Sequence, residues 1–268
     1  MRRRTLRSPR SGIIFILVAG LALIASARPA GAVFDAEAVS PAERGAATAL
    51  ALAPRPTRAV SVYGFKPFGL EQIDFLALSV EFPVRGGAWG VGLACQRLTA
   101  LAYTEQVGAV SLVVRSGRVA VTPTVRVGTV QSRPGFSDWA VVADVAATAR
   151  VTGSVEVAVA VENPFAIGLV GEGSRIPRRL RLGLGTLVSA TVGWGAEVLK
   201  EPGFPLSIRS GIEWAAAKAI TVRTGARTCP AEMAFGLGFR RGRVAVDLAS
   251  ALAFELGTTY EAGVTVTW

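Results

Sequence analysis

From residue 58 to the end of the chain, apolar side chains recur at every second position, and this alternation constrains the fold more than any other feature. Residues 118–130 place valines on one side of an extended chain, with arginine, threonine and glycine on the other. The same division recurs at residues 154–163, 205–214 and 232–240. A period of two is typical of strands whose two faces meet different environments. The sequence therefore predicts an all-β fold.

The second face of these strands favours a membrane barrel over a soluble sandwich. It consists mainly of glycine, alanine and threonine with isolated charges, whereas the polar face of a soluble sheet meets bulk water. Small residues with paired charges fit a confined, curved, polar interior, and the apolar face then meets lipid. No run after residue 25 approaches the ~20 apolar residues of a membrane-spanning helix. We predict a closed antiparallel transmembrane β-barrel over residues 58–268.

Strand and turn lengths support this prediction. Residues 58–268 divide into about fourteen segments, each near the ~10 residues that a tilted membrane strand requires. Alternate connections are tight turns that contain glycine, such as Ser116-Gly117 and Arg241-Gly242, while most of the others are longer, including residues 131–137 and 163–178. This asymmetry, with an even strand count, places both chain termini on the periplasmic side.

The last strand ends in an aromatic residue. We expect it to close the barrel, because an open sheet edge in lipid leaves backbone groups unpaired. An ordinary final strand of a sandwich is the alternative. The pattern resembles the signal that the outer-membrane assembly machinery recognises, so we expect that machinery and outer-membrane lipid as partners. The side chains of this barrel-closing signal are Tyr260, Val264, Val266 and Trp268.

Residues 1–32 have the composition of a secretory signal peptide. An arginine cluster precedes an apolar run over residues 13–25, and Ala30-Gly31-Ala32 is a small-x-small cleavage site, with residues 25–27 as a second candidate. An uncleaved anchor helix is the alternative, although the run is short for a span. We expect export to the outer membrane of a Gram-negative-type bacterium.

Residues 33–57 form a separate N-terminal segment. Ser40-Pro41-Ala42-Glu43 has the spacing of a capping box with proline at the first helical position, which favours a short helix. We expect a short helical or irregular segment, and two interpretations stay open. The segment either plugs the barrel or forms a periplasmic tail.

The charge of the chain does not indicate nucleic-acid binding. The formal net charge is +10, from 29 basic and 19 acidic residues. Six arginines lie in residues 1–32, which contain no acid, so most of the excess belongs to the targeting segment. No basic stripe with interleaved aromatic residues follows it, and we expect no nucleic-acid partner.

The chain has no histidine and only two cysteines. Without histidine, the commonest general acid–base group and the commonest metal ligand are missing. No cluster of cysteine and acidic residues has the spacing that metal ligands require. We therefore predict no catalytic, metal-binding or cofactor-binding residues, and we expect that the chain is not an enzyme. Cys95 is expected to face lipid and Cys229 to lie in a loop, which favours unpaired thiols over a disulfide.

Charged residues recur on the face of the strands that holds small residues. One interpretation is a selectivity ring or a site for a polar solute. The other, which we favour, is an interior filled by mutually compensating charges, because a buried unpaired charge is costly. Glu213 and Arg223 face each other across one short hairpin. The predicted lumen-facing charges are Arg126, Asp144, Arg150, Glu156, Glu162, Arg181, Glu197, Arg209, Glu213, Arg223, Arg227, Asp247 and Glu261.

A series of short motifs lies in the second half of the chain. They are Asn163-Pro164, residues 176–183, 201–205 and 211–214, Phe235-Gly236-Leu237-Gly238-Phe239, and residues 246–249 and 256–259. In this order they resemble outer-membrane proteins of the FadL-like superfamily, specifically the PorV/PorQ-type group. The resemblance covers roughly residues 65–268 and implies a fourteen-strand barrel. It also implies roles from the passage of hydrophobic molecules to accessory work in protein secretion.

Two functions fit these observations. The first is a pore or transport barrel for small molecules, hydrophobic ones among them. The alternative is a non-conducting barrel that acts as an interaction or secretion-accessory protein, with secretion-system proteins as partners. We expect the first.

Overall fold

The computed structural model describes residues 58–70, 72–84, 88–101, 103–132, 135–165 and 177–268. The expected signal peptide, the expected N-terminal segment and a further predicted tight turn, Arg85-Gly86-Gly87, lie outside these ranges. Within them, no helix is both long enough and apolar enough to cross a membrane.

The described residues form fourteen β-strands and one 3₁₀ turn, Pro67–Gly69, after the first strand. The predicted fold class and strand count are confirmed. The strands are β1 (Ala59–Lys66), β2 (Ile73–Val84), β3 (Trp89–Ala100), β4 (Tyr103–Ser116), β5 (Val119–Ser132), β6 (Phe136–Arg150), β7 (Val155–Glu162), β8 (Arg179–Leu187), β9 (Val192–Lys200), β10 (Ser207–Ala217), β11 (Ile220–Arg227), β12 (Glu232–Arg241), β13 (Val244–Ala253) and β14 (Gly257–Thr267).

The sheet closes between the last strand and the first. Every strand pairs antiparallel with its neighbours in the chain, and β14 pairs with β1. At this seam the hydroxyls of Ser61 and Thr265 lie 2.9 Å apart, and the Trp268 backbone N–H donates to the Arg58 carbonyl over 3.1 Å. The Trp268 ring also packs edge-on against Phe82, with ring centroids 6.5 Å apart. The closing strand leaves no open edge, which is what a barrel in lipid requires.

The two faces of each strand differ in exposure as the alternation predicts. On β12, Ala234 is 5% exposed, whereas its neighbours Met233 and Phe235 are 56% and 50% exposed. We call the face that holds the buried side chains the inner face, and the other the outer face. Most of the exposed large hydrophobic residues lie on the outer face, which is the expected surface for lipid.

The two ends of the barrel differ in their connections. At the end where β1 begins and β14 finishes, which we call the terminal end, the described connections span two to four residues. Gly117 and Gly242 adopt a φ of 59° in two of them, a conformation that favours glycine. The other end, the distal end, carries the longest connection, residues 163–178. The predicted loop at residues 131–137 is shorter than expected, because β5 and β6 pair as far as Ser132 and Phe136.

Aromatic side chains on the outer face cluster at two levels. On β14, Tyr260 and the following Trp268 are eight residues apart, which is roughly 26 Å along a strand and roughly 20 Å in height at the usual tilt. Two aromatic girdles flanking an apolar band are typical of transmembrane barrels. Exposed aromatic residues near the terminal end are Phe82, Trp89, Trp214, Phe239 and Trp268, and those nearer the distal end are Trp139, Phe235 and Tyr260 on the strands and Phe165, Phe204 and Phe254 in the connections.

Candidate functional site in the barrel interior

Strand register places all the predicted lumen-facing charges on the inner face. They do not form one ring. They lie at different heights and join into separate groups of ion pairs, three of which have defined geometry. The placement follows from the pairing of Arg126, Asp144, Arg150, Glu156, Glu162, Arg181, Glu197, Arg209, Glu213, Arg223, Arg227, Asp247 and Glu261 with inner-face partners on neighbouring strands.

The largest group joins β7, β8 and β9 near the distal end. Arg181 Nε lies 2.9 Å from Glu162 Oε1, and Arg179 Nε lies 2.7 Å from Glu201 Oε2. Longer contacts of 3.8 Å join Arg179 to Glu162 and Arg181 to Glu197. The Glu197 side chain is 2% exposed. Two arginines thus alternate with three glutamates, so opposite charges compensate each other inside the wall.

A second group fixes the chain where it leaves β7. Arg126 holds Asp144 in a two-pronged contact, with Nε 2.5 Å from Oδ2 and Nη2 3.0 Å from Oδ1. Asp144 Oδ1 also accepts the backbone N–H of Asn163 over 2.9 Å. Asn163 is fully buried and has a φ of 48°, a left-handed conformation that asparagine tolerates better than most residues. This role of Asn163 was not predicted, because nothing local in the sequence indicates that a distant aspartate caps this residue.

The third group centres on Arg223. Its Nε lies 2.6 Å from Glu213 Oε2 on β10, as the short hairpin predicts, and its Nη1 lies 2.7 Å from Asp247 Oδ1 on β13. Gly238, on the strand between Arg223 and Asp247, makes this second contact possible. A Cβ at that position would lie 2.8 Å from both Arg223 Nη1 and Asp247 Oδ1. The contact with Asp247 crosses an intervening strand, which sequence spacing does not reveal.

An apolar region, which the sequence alternation does not predict, lies on the inner face near the distal end of β1, β2 and β3. The Phe65 and Phe75 rings stack with centroids 4.3 Å apart, and the Tyr63 and Phe75 centroids are 6.1 Å apart. Leu98 packs against the same cluster. We call these four side chains the aromatic patch. Both faces of β1 hold apolar residues, so alternation alone does not show that Tyr63 and Phe65 point inward.

A second apolar cluster continues along the inner face of β4, β5 and β6. It contains Val107, Val130, Ala140 and Val142, each 6% exposed or less. Between the clusters, the Tyr103 hydroxyl donates to Glu105 Oε2 over 3.0 Å. The two apolar clusters therefore lie on β1 to β6, whereas two of the three ion-pair groups described above lie on β7 to β13.

Neither a metal site nor a disulfide is present among the described residues. They contain no group of three or more cysteine or acidic side chains arranged to hold a metal ion. Cys95, exposed on the outer face of β3, and Cys229, in the connection before β12, are both free thiols.

Comparison with solved structures supports the architecture. The toluene transporter TodX of Pseudomonas putida matches with a TM-score of 0.63 and 9% identity, over 88% of this chain and 99% of the transporter. The toluene transporter TbuX of Ralstonia pickettii matches with a TM-score of 0.56 and 12% identity, over 88% of this chain and 98% of that one. This chain shares their fold. The KdgM porin matches with a TM-score of 0.45 and 12% identity, over 78% of this chain and 99% of the porin. No protein-family model and no curated protein matches the sequence.

Proposed function

We propose that this chain is an outer-membrane transport barrel that passes small hydrophobic molecules. The observation that carries the proposal is the aromatic patch, because the inner wall of a water-filled membrane pore is ordinarily polar. Phe65 and Leu98 keep part of their surface accessible, while Phe75 beneath them is 3% exposed. The patch thus has a buried base and a partly accessible apolar surface.

An apolar solute gains free energy at such a surface. Burial of apolar area is worth roughly 25 cal/mol per Å². An aromatic solute that packs offset or edge-on against a ring gains about 0.5–1.5 kcal/mol more. The partly accessible ring of Phe65, which stacks on the buried Phe75, is the ring that a solute can contact. Contacts of this size favour entry without the tight retention that would prevent release.

The comparisons with solved structures support the proposal. Two solved structures that match with TM-scores above 0.5 are named as toluene transporters, and each match covers 88% of this chain. The order of motifs from Asn163 onward supports a place in the FadL-like superfamily. We assign the chain to the PorV/PorQ-type group on those motifs alone, and the transport proposal does not depend on that assignment.

The same proposal includes location and assembly. Export directed by residues 1–32 would deliver the chain to the outer membrane, with the terminal end facing the periplasm. Tyr260, Val264 and Val266 lie on the outer face of the closing strand, where the assembly machinery can contact them before the seam forms. The girdles and the closed seam support membrane insertion.

Uptake by whole cells tests the proposal. Cells of a Gram-negative bacterium that express the barrel should take up labelled toluene faster than cells with an empty vector. The double variant Phe65→Thr/Phe75→Thr should reduce uptake nearly to the vector level. The matched control Phe235→Thr makes the same change on the outer face and should keep most of the uptake. Heat-modifiable migration of each barrel on gels establishes equal folded amounts.

Two results would contradict the proposal. One is uptake by the double variant equal to that of the unchanged barrel at equal folded amounts. The other is a folded, membrane-inserted barrel with no uptake above the vector and no conductance in planar bilayers, which would favour the non-conducting interaction protein.

A further inference from the structure

Exposed basic side chains surround the terminal end of the barrel. They occupy the tight connections and the strand ends next to them, and all are exposed. We call this set the basic rim. Its members are Arg58, Arg118, Lys218, Arg241 and Arg243, which lie in the connections or on the outer face of the strand ends.

The rim lacks acidic side chains. The described connections at this end, residues 117–118, 151–154, 188–191, 218–219 and 242–243, contain no aspartate or glutamate. The nearest acids along the strands, Glu81 and Glu156, lie on the inner face. At the distal end, by contrast, basic and acidic residues are mixed, as in the exposed pair of Lys66 and Asp74, 3.6 Å apart. Among the described residues, positive charge without neighbouring acids therefore accumulates at the terminal end.

The rim lies next to the aromatic girdle of the terminal end. Arg241 follows Phe239 by one outer-face position on β12, roughly 7 Å along the strand. Arg58 and Trp268 are joined by their backbone hydrogen bond. Aromatic side chains favour the boundary between hydrocarbon and headgroups, so the basic groups beyond them reach the level of the phosphates.

We propose that the basic rim binds anionic phospholipid headgroups in the leaflet that surrounds the terminal end. Two features select this ligand. The rim is positively charged, and its basic groups lie just beyond the aromatic girdle, at the level of the lipid phosphates. Arginine also matches phosphate geometry with two parallel N–H donors. This inference rests on the proposed membrane insertion, but it does not depend on what the barrel transports.

Quenching of tryptophan fluorescence by brominated lipids tests the proposal. The chain contains five tryptophans, and Trp139 alone lies nearer the distal end. In a Trp139→Phe background, the remaining fluorescence reports on lipids around the terminal end. The barrel would be placed in phosphatidylcholine nanodiscs that contain either brominated phosphatidylglycerol or brominated phosphatidylcholine at equal amounts. The ratio of quenching by the two lipids gives the local preference.

The expected preference for phosphatidylglycerol is about fivefold, the factor that one basic side chain near a membrane surface provides. The variant Arg118→Gln/Arg241→Gln/Arg243→Gln removes three of the five rim charges and should lower the preference by about half, whereas ~1 M salt should abolish it around the unchanged rim. A matched control removes three basic residues of the distal half, Lys66→Gln/Arg97→Gln/Lys200→Gln, and should keep the preference.

Three results would overturn the inference. The first is equal quenching by the two lipids around the unchanged rim. The second is a preference that is unchanged in the triple rim variant. The third is binding of an acidic peptide, such as polyglutamate, to the rim without any lipid preference, which would indicate a protein partner. A barrel that folds in nanodiscs but does not transport toluene would contradict the transport function and leave this inference standing.

Discussion

Replacing Arg223 with methionine tests whether the inner charges act as compensated groups. The substitution keeps a long side chain and removes the cation that two carboxylates share, Glu213 at 2.6 Å and Asp247 at 2.7 Å. The two carboxylates differ in environment. The side chain of Asp247 is 16% exposed and that of Glu213 is 51% exposed. Water can therefore solvate Glu213 in the variant far better than Asp247.

The expected cost follows from this difference. Removing one partner of a buried ion pair costs about 3–5 kcal/mol, whereas an exposed pair contributes about 0.2–1 kcal/mol. We expect Arg223→Met to cost about 3 kcal/mol, mainly through Asp247, and Glu213→Gln to cost less than about 1 kcal/mol. The double variant Arg223→Met/Asp247→Leu removes both buried charges and should recover most of the loss.

Urea unfolding in phospholipid vesicles, followed by tryptophan fluorescence, measures these free energies. Trp214 lies next to Glu213 on β10 and reports on this part of the wall. A double variant as unstable as Arg223→Met would refute the reasoning, because the loss would then not arise from an uncompensated carboxylate. A cost for Glu213→Gln equal to that for Arg223→Met would refute it as well.

Three further substitutions test other parts of the structure by the same unfolding measurement. Gly238→Ala places a methyl group 2.8 Å from the atoms of the Arg223–Asp247 contact and should lower the free energy of unfolding by about 1–3 kcal/mol. An unchanged free energy of unfolding would mean that this contact does not form. Phe75→Ala empties the base of the aromatic patch and should cost about 3–5 kcal/mol, whereas a cost below about 1 kcal/mol would mean that the rings are not packed. Leu248→Arg puts a charge on the outer face of β13 and should cost about 2–4 kcal/mol in a bilayer, and a neutral result would indicate that this face does not meet lipid.

The fold could be predicted from the sequence because it depends on a local pattern. An alternation of period two determines which side chains share a face, and tight turns with glycine, such as Gly117 and Gly242, determine where strands reverse. The aromatic end of β14 indicated the strand that closes the sheet, and it pairs with β1 as expected. Loop lengths could not be predicted from the local pattern, because the number of residues that pair at a strand end depends on the partner strand.

The interior could be predicted only in part, for a physical reason. A charged residue in an alternating segment shows which face of the strand is polar, so the inner face could be predicted where charges occur. Strand register then places these charges together on that face. When both faces of a strand are apolar, the alternation does not show whether side chains such as Tyr63 and Phe75 point inward or outward. Contacts that cross a strand, such as that between Arg223 and Asp247 over Gly238, depend on the small size of the residue between them. That dependence appears only once the strands are side by side.

Site-directed spin labelling along β14 tests the central claim that one face of each strand meets lipid and the other faces the barrel interior. Single cysteines would be introduced from position 258 to position 267 in a Cys95→Ser/Cys229→Ser background, and the collision rate of each label with oxygen would be measured in vesicles. The account predicts an oxygen accessibility with a period of two, with maxima at Tyr260, Ala262, Val264 and Val266. Uniform accessibility along the strand, or a period near 3.6 residues, would contradict it.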